Sequence, residues 1–394
     1  MIDVTSRIQH HGLPVPRVWQ PQAMTPDEVQ LRDFGAIIGR LIRKEDISRA
    51  EAKNCWRQIC TREQPDVQQG AFMAALAAKP ETLDEIAGTF DALYEYDTTK
   101  VEIDTPEPFI DNAGTGGDTL KTFNISTAAA IVAAACGLYV TRHCSRAISS
   151  NCGAVDVVEA LGVDVECGPE FPKQAIERGG ICAWNGFVPW LRPTFMQRMR
   201  AEVRFGQTIN LVGPLLTPTM PQYKVMGVNS VSGVDFLSLL LRELGFKRAF
   251  VMNGLDTDSG HGIDELSTLG PSHIAELKPD GSIEKSVVTP EELGLKRARY
   301  GDVASSGHVE REALTLLRVI AGKDTGPRED IVCLNAAPML YVMGRARHLA
   351  EGITAARAAI QDGRALQKLR DWVTWQNVTP DAGTPRLEAM LARL

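Results

Sequence analysis

Three glycines in four positions stand at Gly114-Thr115-Gly116-Gly117, with Asp118 directly after them. Such a run lets the backbone enter positive φ and approach a ligand closely. Backbone N–H groups in the turn can form an anion nest, and a following helix N-terminus adds partial positive charge. The chemistry indicated is the grip of a phosphorylated ligand. A purely structural tight turn is the competing reading of the same residues. Thr119 breaks the dinucleotide pattern G-x-G-x-x-G, and the chain holds no G-K-[ST] of a Walker loop.

Short polar side chains follow at Asn124, Ser126 and Thr127. Ordinary N-capping by Asn124 or Ser126 is one reading. Contact with phosphate, or with a metal bound on it, is the other. Arg142, His143, Cys144, Ser145 and Arg146 come next, then Ser149 and Ser150. Arg142 and Arg146 offer charge-assisted donors to phosphate. Asp264 and Glu265 supply adjacent carboxylates, the usual means of holding Mg²⁺ beside phosphate groups, although such pairs also occur simply solvated.

These residues need elements to place them. Phe34, Ile37, Ile38 and Leu41 form one helical stripe. Ser48 with Glu51 and Thr82 with Glu85 are capping-box patterns that open further helices. The stretch 34–97 therefore reads as a small all-helical unit. Beyond Pro106 and Pro108 the pattern alternates. Phe109-Ile110 leads into the glycine loop, and an Ala-rich helix runs from Ser126 to Cys136. The runs 137–141, 163–165 and 247–252 read as strands, 155–161 as a helix, and 345–369 as long amphipathic helices. Strands alternating with helices predict an α/β fold with a mainly parallel sheet covered on both faces. In such sheets, loops after strand C-termini surround the ligand crevice.

Bulk properties narrow the classes. The 394 residues are 44% hydrophobic and 23% charged, ordinary globular composition. A net charge of −7 argues against a nucleic-acid groove but leaves room for one phosphate pocket. The eight cysteines show no C-x-x-C pair and no zinc spacing, so free thiols in a reducing compartment are expected. No signal-peptide core and no membrane-length apolar run is present, which points to the cytoplasm and away from a membrane.

Taken together, the motifs resemble the anthranilate phosphoribosyltransferase family, among the nucleoside-phosphorylase-like phosphoribosyltransferases. The resemblance runs from about Phe34 to Leu369. It includes Gly114–Asp118, Asn124–Thr127, Ser149-Ser150 with Gly153 and Asp156, and Glu159–Gly162. Asn210–Leu216, Gly262–Glu265 and Leu334–Ala337 continue it.

The resemblance implies a helical domain over 34–104, joined by a segment near 187–204, and an α/β domain over 105–394 that binds the donor. Residues 1–33 form an extension without a family counterpart. It also implies a homodimer, phosphoribosyl pyrophosphate as donor with Mg²⁺, and an aromatic small-molecule acceptor. Gly114, Thr115, Gly116, Gly117, Asp118, Asn124, Ser126, Thr127, Arg142, Ser149 and Ser150 would then hold the donor. Ser126, Asp264 and Glu265 would hold metal. His143, Cys144, Ser145, Arg204, Gly213 and Pro214 would face the acceptor. No residue stands out as a general acid or base, which suits an arylamine that is already nucleophilic.

Departures from the family pattern collect on the acceptor side. Cys144 and Ser145 replace the family's Gly and Asn, and Gly206 stands where an acceptor-binding arginine is expected, with Arg204 two residues away. Arg192-Pro193 replaces a His-Pro pair, and Asn253 a histidine. A changed acceptor and a non-catalytic paralogue are the alternatives these departures raise.

Overall fold

The computed structural model describes residues 26–146, 152–203, 208–379 and 382–394. Four helices come first: α1 (Pro26–Ile42), α2 (Arg49–Cys60), α3 (Asp66–Ala77) and α4 (Leu83–Tyr96). Helix α1 starts well before the Phe34 stripe, with Pro26 at its first turn, where a missing N–H costs nothing. Both capping boxes form. Ser48 accepts from the Glu51 amide while Glu51 accepts from the Ser48 amide, and Thr82 and Glu85 do the same. Two donors that the helix cannot satisfy internally are thereby paired at each start.

The rest builds on a sheet. Its strands are β1 (Phe109–Gly114), β2 (Tyr139–Cys144), β3 (Ile181–Asn185), β4 (Tyr223–Gly227), β5 (Arg248–Leu255), β6 (Gly262–Ile263), β7 (Ser272–Leu277) and β8 (Ile283–Val288). Between them lie α5 (Ile125–Ala135), α6 (Ala154–Ala160), α7 (Glu170–Gly179), α8 (Phe195–Glu202), α9 (Thr208–Val212) and α10 (Val231–Glu243). After β8 come α11 (Tyr300–Val303), α12 (Val309–Ile320), α13 (Pro327–Val342), α14 (Leu349–Gln361), α15 (Arg364–Trp375) and α16 (Thr384–Leu391).

The strand order is β3-β2-β1-β4-β5-β7-β8, with β6 paired to β5. The first five strands run parallel, and β6, β7 and β8 pair antiparallel. Side chains alternate between two cores, as strand geometry requires. In β5, Phe250 and Met252 face the core of α5, α12, α13 and α15. Ala249 and Val251 face the other core, shared with α10 and the four N-terminal helices. Helices α8 and α9 return to that helical unit: the ring of Phe195 packs on Trp56 at 5.4 Å, and Arg198 pairs with Asp66. The chain therefore crosses between the two units three times, after α4, after β3 and after α9.

One expected strand is absent. Val163 and Val165 are buried, but Asp164 between them bonds through its backbone N–H to the Gln376 carbonyl. A three-residue apolar run does not distinguish a strand from a buried turn, and here the side chain of Gln376 also takes the Asp164 carbonyl.

Candidate active site

The strand order reverses at β1. Strands β2 and β3 are added on one side of it, and β4 and β5 on the other. Open α/β sheets bind ligands in the crevice outside the strand C-termini at such a reversal. Here the two strands end on paired glycines, Gly114 opposite Gly227. The reason is steric. A Cβ on Gly114 would lie 1.8 Å from an Asp264 carboxylate oxygen, and one on Gly227 1.4 Å from the Asp264 carbonyl. The loop after β6 thus drops Asp264 directly over both strand ends.

Gly116 and Gly117 adopt φ of +65° and +81°, which turns the loop back over the sheet. The Gly116 amide donates to the Asp264 carboxylate at 2.9 Å, and the Thr115 amide to the Gly227 carbonyl at 3.0 Å. So the glycine loop holds the side chain of Asp264 through the Gly116 amide. Gly117 faces Asn229, whose side-chain nitrogen would lie 3.1 Å from an added Cβ.

Asn124 occupies the N-cap of α5, yet its side chain makes no capping bond. Nor does Ser126 cap: its hydroxyl lies 3.1 Å from a Glu265 carboxylate oxygen. The α5 N-terminus is left facing the cleft. Thr127 is buried behind it.

Asp118, Asp264 and Glu265 bring one oxygen each within 4.8 Å of one another. One carboxylate oxygen of Asp118 and one of Glu265 are buried without a hydrogen-bond partner. Burial, and then the neighbouring Asp264, pushes the Asp118 carboxyl up to about 9. The same two causes raise Glu265 well above the usual carboxylate range. Three crowded carboxylates, two of them with an orphaned oxygen, fit a hard divalent cation, which prefers an all-oxygen shell.

Arg142, on β2 beside β1, is the cation of the site. It is buried, one terminal guanidinium nitrogen lacks any partner, and burial lowers its proton affinity. An unpaired buried guanidinium is costly, and a phosphate would relieve that cost. Arg146 does not join it. Asp156, Glu159 and Glu166 hold Arg146 in ion pairs of 3.1, 2.7 and 2.7 Å, so its donors are spent on fixing the loop rather than on a ligand.

On the expected acceptor side, His143 is half-buried next to Gly213, and loss of solvent with the nearby Arg192 and Lys224 pushes its pKa well down. The Cys144 thiol points back to the Trp184 carbonyl at 3.7 Å, and burial raises it to about 11. Ser145 uses its carbonyl to receive the Val155 amide. Pro214 offers its carbonyl to the Lys224 ammonium at 3.2 Å. Lys224 also pairs with Asp111, and both are fully buried. Asp111 accepts from the His143 amide as well, at 3.3 Å. Ser149, Ser150, Arg204 and Gly206 lie outside the described residues. Lys224 and Asn229 carry no local signal in the chain; only the register Asp111↔Lys224 and the fold-back at Gly117 reveal them.

Comparison with known proteins agrees with this geometry. Residues 106–366 match the α/β domain of a glycosyl transferase family, and residues 36–96 its helical bundle domain. The chain is 39% identical to the anthranilate phosphoribosyltransferase of Anaeromyxobacter dehalogenans over 339 residues, 85% of this chain and 96% of that one. It is 38% identical to the enzyme of the same name from Chloroflexus aggregans, over 84% of this chain and 95% of that one. The crystal structure of anthranilate phosphoribosyltransferase from Thermus thermophilus superposes with a TM-score of 0.77 at 33% identity, covering 86% of this chain and 98% of that one. A Saccharomyces cerevisiae anthranilate phosphoribosyltransferase in complex with phosphoribosyl pyrophosphate and Mg shares the fold at 23% identity and a TM-score of 0.72, covering 87% and 97%. The helical bundle, the crevice at the sheet reversal and the sequence identity over most of both chains agree: this chain belongs to the anthranilate phosphoribosyltransferase family of glycosyl transferases.

Proposed function

We propose that the chain transfers a phosphoribosyl group from phosphoribosyl pyrophosphate to anthranilate or a related aromatic acceptor and releases pyrophosphate. The observation that carries this is the crevice at Gly114 and Gly227, with three clustered carboxylates over it and, at the end of the neighbouring strand, Arg142 with a buried guanidinium nitrogen that lacks a partner. A diphosphate donor accompanied by Mg²⁺ satisfies both the carboxylates and the guanidinium. Asp118, Asp264, Glu265 and Ser126 would hold Mg²⁺, which supplies positive charge against the leaving pyrophosphate. Gly114, Thr115, Gly116, Gly117, Asn124, Thr127, Arg142, Ser149 and Ser150 would hold the donor.

The acceptor nitrogen attacks C1 of the ribose. Its lone pair forms the C–N bond as the C–O bond to pyrophosphate breaks, and the proton of the resulting ammonium passes to the released pyrophosphate or to water. The residues here neutralise the leaving group and align the two reactants, and alignment alone can supply roughly 7–11 kcal/mol of barrier reduction. His143, Cys144, Ser145, Arg204, Gly213 and Pro214 form the acceptor side. A homodimer in the cytoplasm, with no nucleic-acid partner, completes the reading. Eight free thiols support the compartment. Among the described residues no helix is long and apolar enough to cross a membrane.

A second reading keeps the donor and changes the acceptor, or loses turnover. Arg192, Cys144 and Gly206 at family acceptor positions favour it. Pyrophosphate release measured with anthranilate and a panel of arylamines and aromatic acids decides between them. Asp118→Ala and Glu265→Ala should each lower donor use by about 100-fold or more with little change in melting temperature. Survival of activity in both would refute the site. Calorimetry with phosphoribosyl pyrophosphate, with and without Mg²⁺, identifies a protein that binds without turnover.

A further inference from the structure

Arg192 is fully buried, with no exposed surface. It lies in the second of the three crossings between the helical unit and the sheet. Its guanidinium reaches the other two. One terminal nitrogen donates to the Thr98 hydroxyl and lies 3.5 Å from the Asp97 carbonyl, in the crossing after α4. The other donates to the Leu216 carbonyl, in the crossing after α9, and lies 3.5 Å from Nε2 of His143 on β2. Backbone bonds join the same three segments around it: Thr99 amide to Leu191 carbonyl at 3.0 Å, and Val101 amide to Pro218 carbonyl at 3.0 Å.

No carboxylate among the described residues pairs with this cation. Asp97, the nearest acidic group, spends its oxygens on Thr194, Phe195 and Met196. Nε of Arg192 is left without a partner, and burial lowers the group to about 10. A guanidinium only donates, so the His143 nitrogen that faces it presents a lone pair. Gly186 closes the other side of that nitrogen, since a Cβ there would lie 2.5 Å from it. The His143 ring is therefore held edge-on between Arg192 and Gly186, with Gly213 beside it.

We propose that Arg192 is a positioning residue for the acceptor, pinning the three interdomain crossings at one point and, through His143, fixing the acceptor wall to that joint. This rests on the phosphoribosyl-transfer reading for its kinetic arm only. A fork of N–H donors can serve three segments at once, and a lysine ammonium cannot span them. The position of the helical unit and the shape of the acceptor wall then change together, while the donor crevice at Gly114 and Asp264 stays as it is.

The test compares the full chain with Arg192→Met and Arg192→Lys. In steady-state assays of pyrophosphate release, Arg192→Met should raise acceptor KM about tenfold or more and leave donor KM within about twofold, with Arg192→Lys between it and the parent. Equal rises in both constants, or none in either, overturn the proposal. Hydrogen exchange provides the arm that needs no turnover. Amides of Thr99, Val101, Leu216 and His143 should lose protection together in both variants, with α13 unchanged. Loss in the crossings without loss at His143 also overturns it. If the parent turns over no acceptor, the functional reading fails and the exchange result alone decides the role of Arg192.

Discussion

Gly114→Ala separates the placement of Asp264 from the stability of the fold. The added Cβ would start 1.8 Å from the Asp264 carboxylate oxygen, and real Cβ contacts are essentially never below 3.0 Å, so that oxygen must retreat by about 1.2 Å. The obstructing atoms are that oxygen and, at 2.6 Å, the carboxylate carbon, both in a side chain that can rotate. Backbone strain is not added, because Gly114 is not among the residues at positive φ. The retreat breaks the 2.9 Å bond from the Gly116 amide, a hydrogen bond to a charged group worth about 1.5–3 kcal/mol. It also opens the carboxylate cluster. A misplacement of about 1 Å in a reacting constellation can cost on the order of 100-fold in rate. The expected result is a fall of about 100-fold in kcat/KM for the donor, a raised Mg²⁺ requirement and a melting temperature within a few degrees of the parent. Steady-state kinetics across a Mg²⁺ series and scanning calorimetry measure all three. Gly227→Ala is the contrast, since its Cβ would strike the Asp264 backbone and should destabilise the fold itself. A Gly114→Ala protein that folds normally and keeps parental donor kinetics would refute the claim that Asp264 over the glycine loop is the working geometry.

Three further outcomes follow from the same site. Asp118 and Glu265 have raised pKa values in the folded chain, so the stability their protonation contributes is present below the unfolded carboxylate range and is lost as pH climbs through the folded value, about 9 for Asp118. Added Mg²⁺ should therefore raise the melting temperature more at pH 8.5 than at pH 5.5, and Asp118→Asn should shrink that difference. Lys224→Met leaves the Asp111 carboxylate buried and unpaired, a loss of about 3–5 kcal/mol by denaturant titration, and Asp111→Asn combined with Lys224→Met should cost less than the single change. Gly206→Arg restores a bidentate carboxylate donor on the acceptor side and should improve any activity toward anthranilate; no improvement in kcat/KM weakens the missing-clamp reading.

Much of this was legible in the chain because the signals are short. Ser48 with Glu51 and Thr82 with Glu85 satisfy one another within three residues, so the helix starts are local facts. Gly114–Asp118 and Asp264-Glu265 are likewise visible as runs. What joins them is not. The Gly116–Asp264 bond spans 148 positions, and nothing in either run says that the carboxylate of one is held by the loop of the other. Arg146 was indistinguishable from Arg142 as a phosphate donor until three carboxylates from α6 and its flank were seen to hold it. Lys224 is a single cation in an unremarkable context, and Arg192 stands out only as a departure from the family's His-Pro pair, with nothing to show what it touches. Their meaning comes from burial and from strand register, which arise only after the sheet is assembled.

The helical unit has a consequence for synthesis. Its four N-terminal helices are complete by Tyr96, yet Phe195, Met196, Ile209 and Val212 belong to the same core. A ribosome must add more than a hundred residues after α4 before α9 exists to cover that face. At about 5–20 residues per second the wait is roughly 6–23 s. During it Trp56, buried in the finished protein against Phe72, lacks the ring of Phe195 that packs on it. The nascent helices are then a natural target for chaperones that bind exposed apolar surface, and a fragment ending near residue 104 should aggregate where the full chain does not.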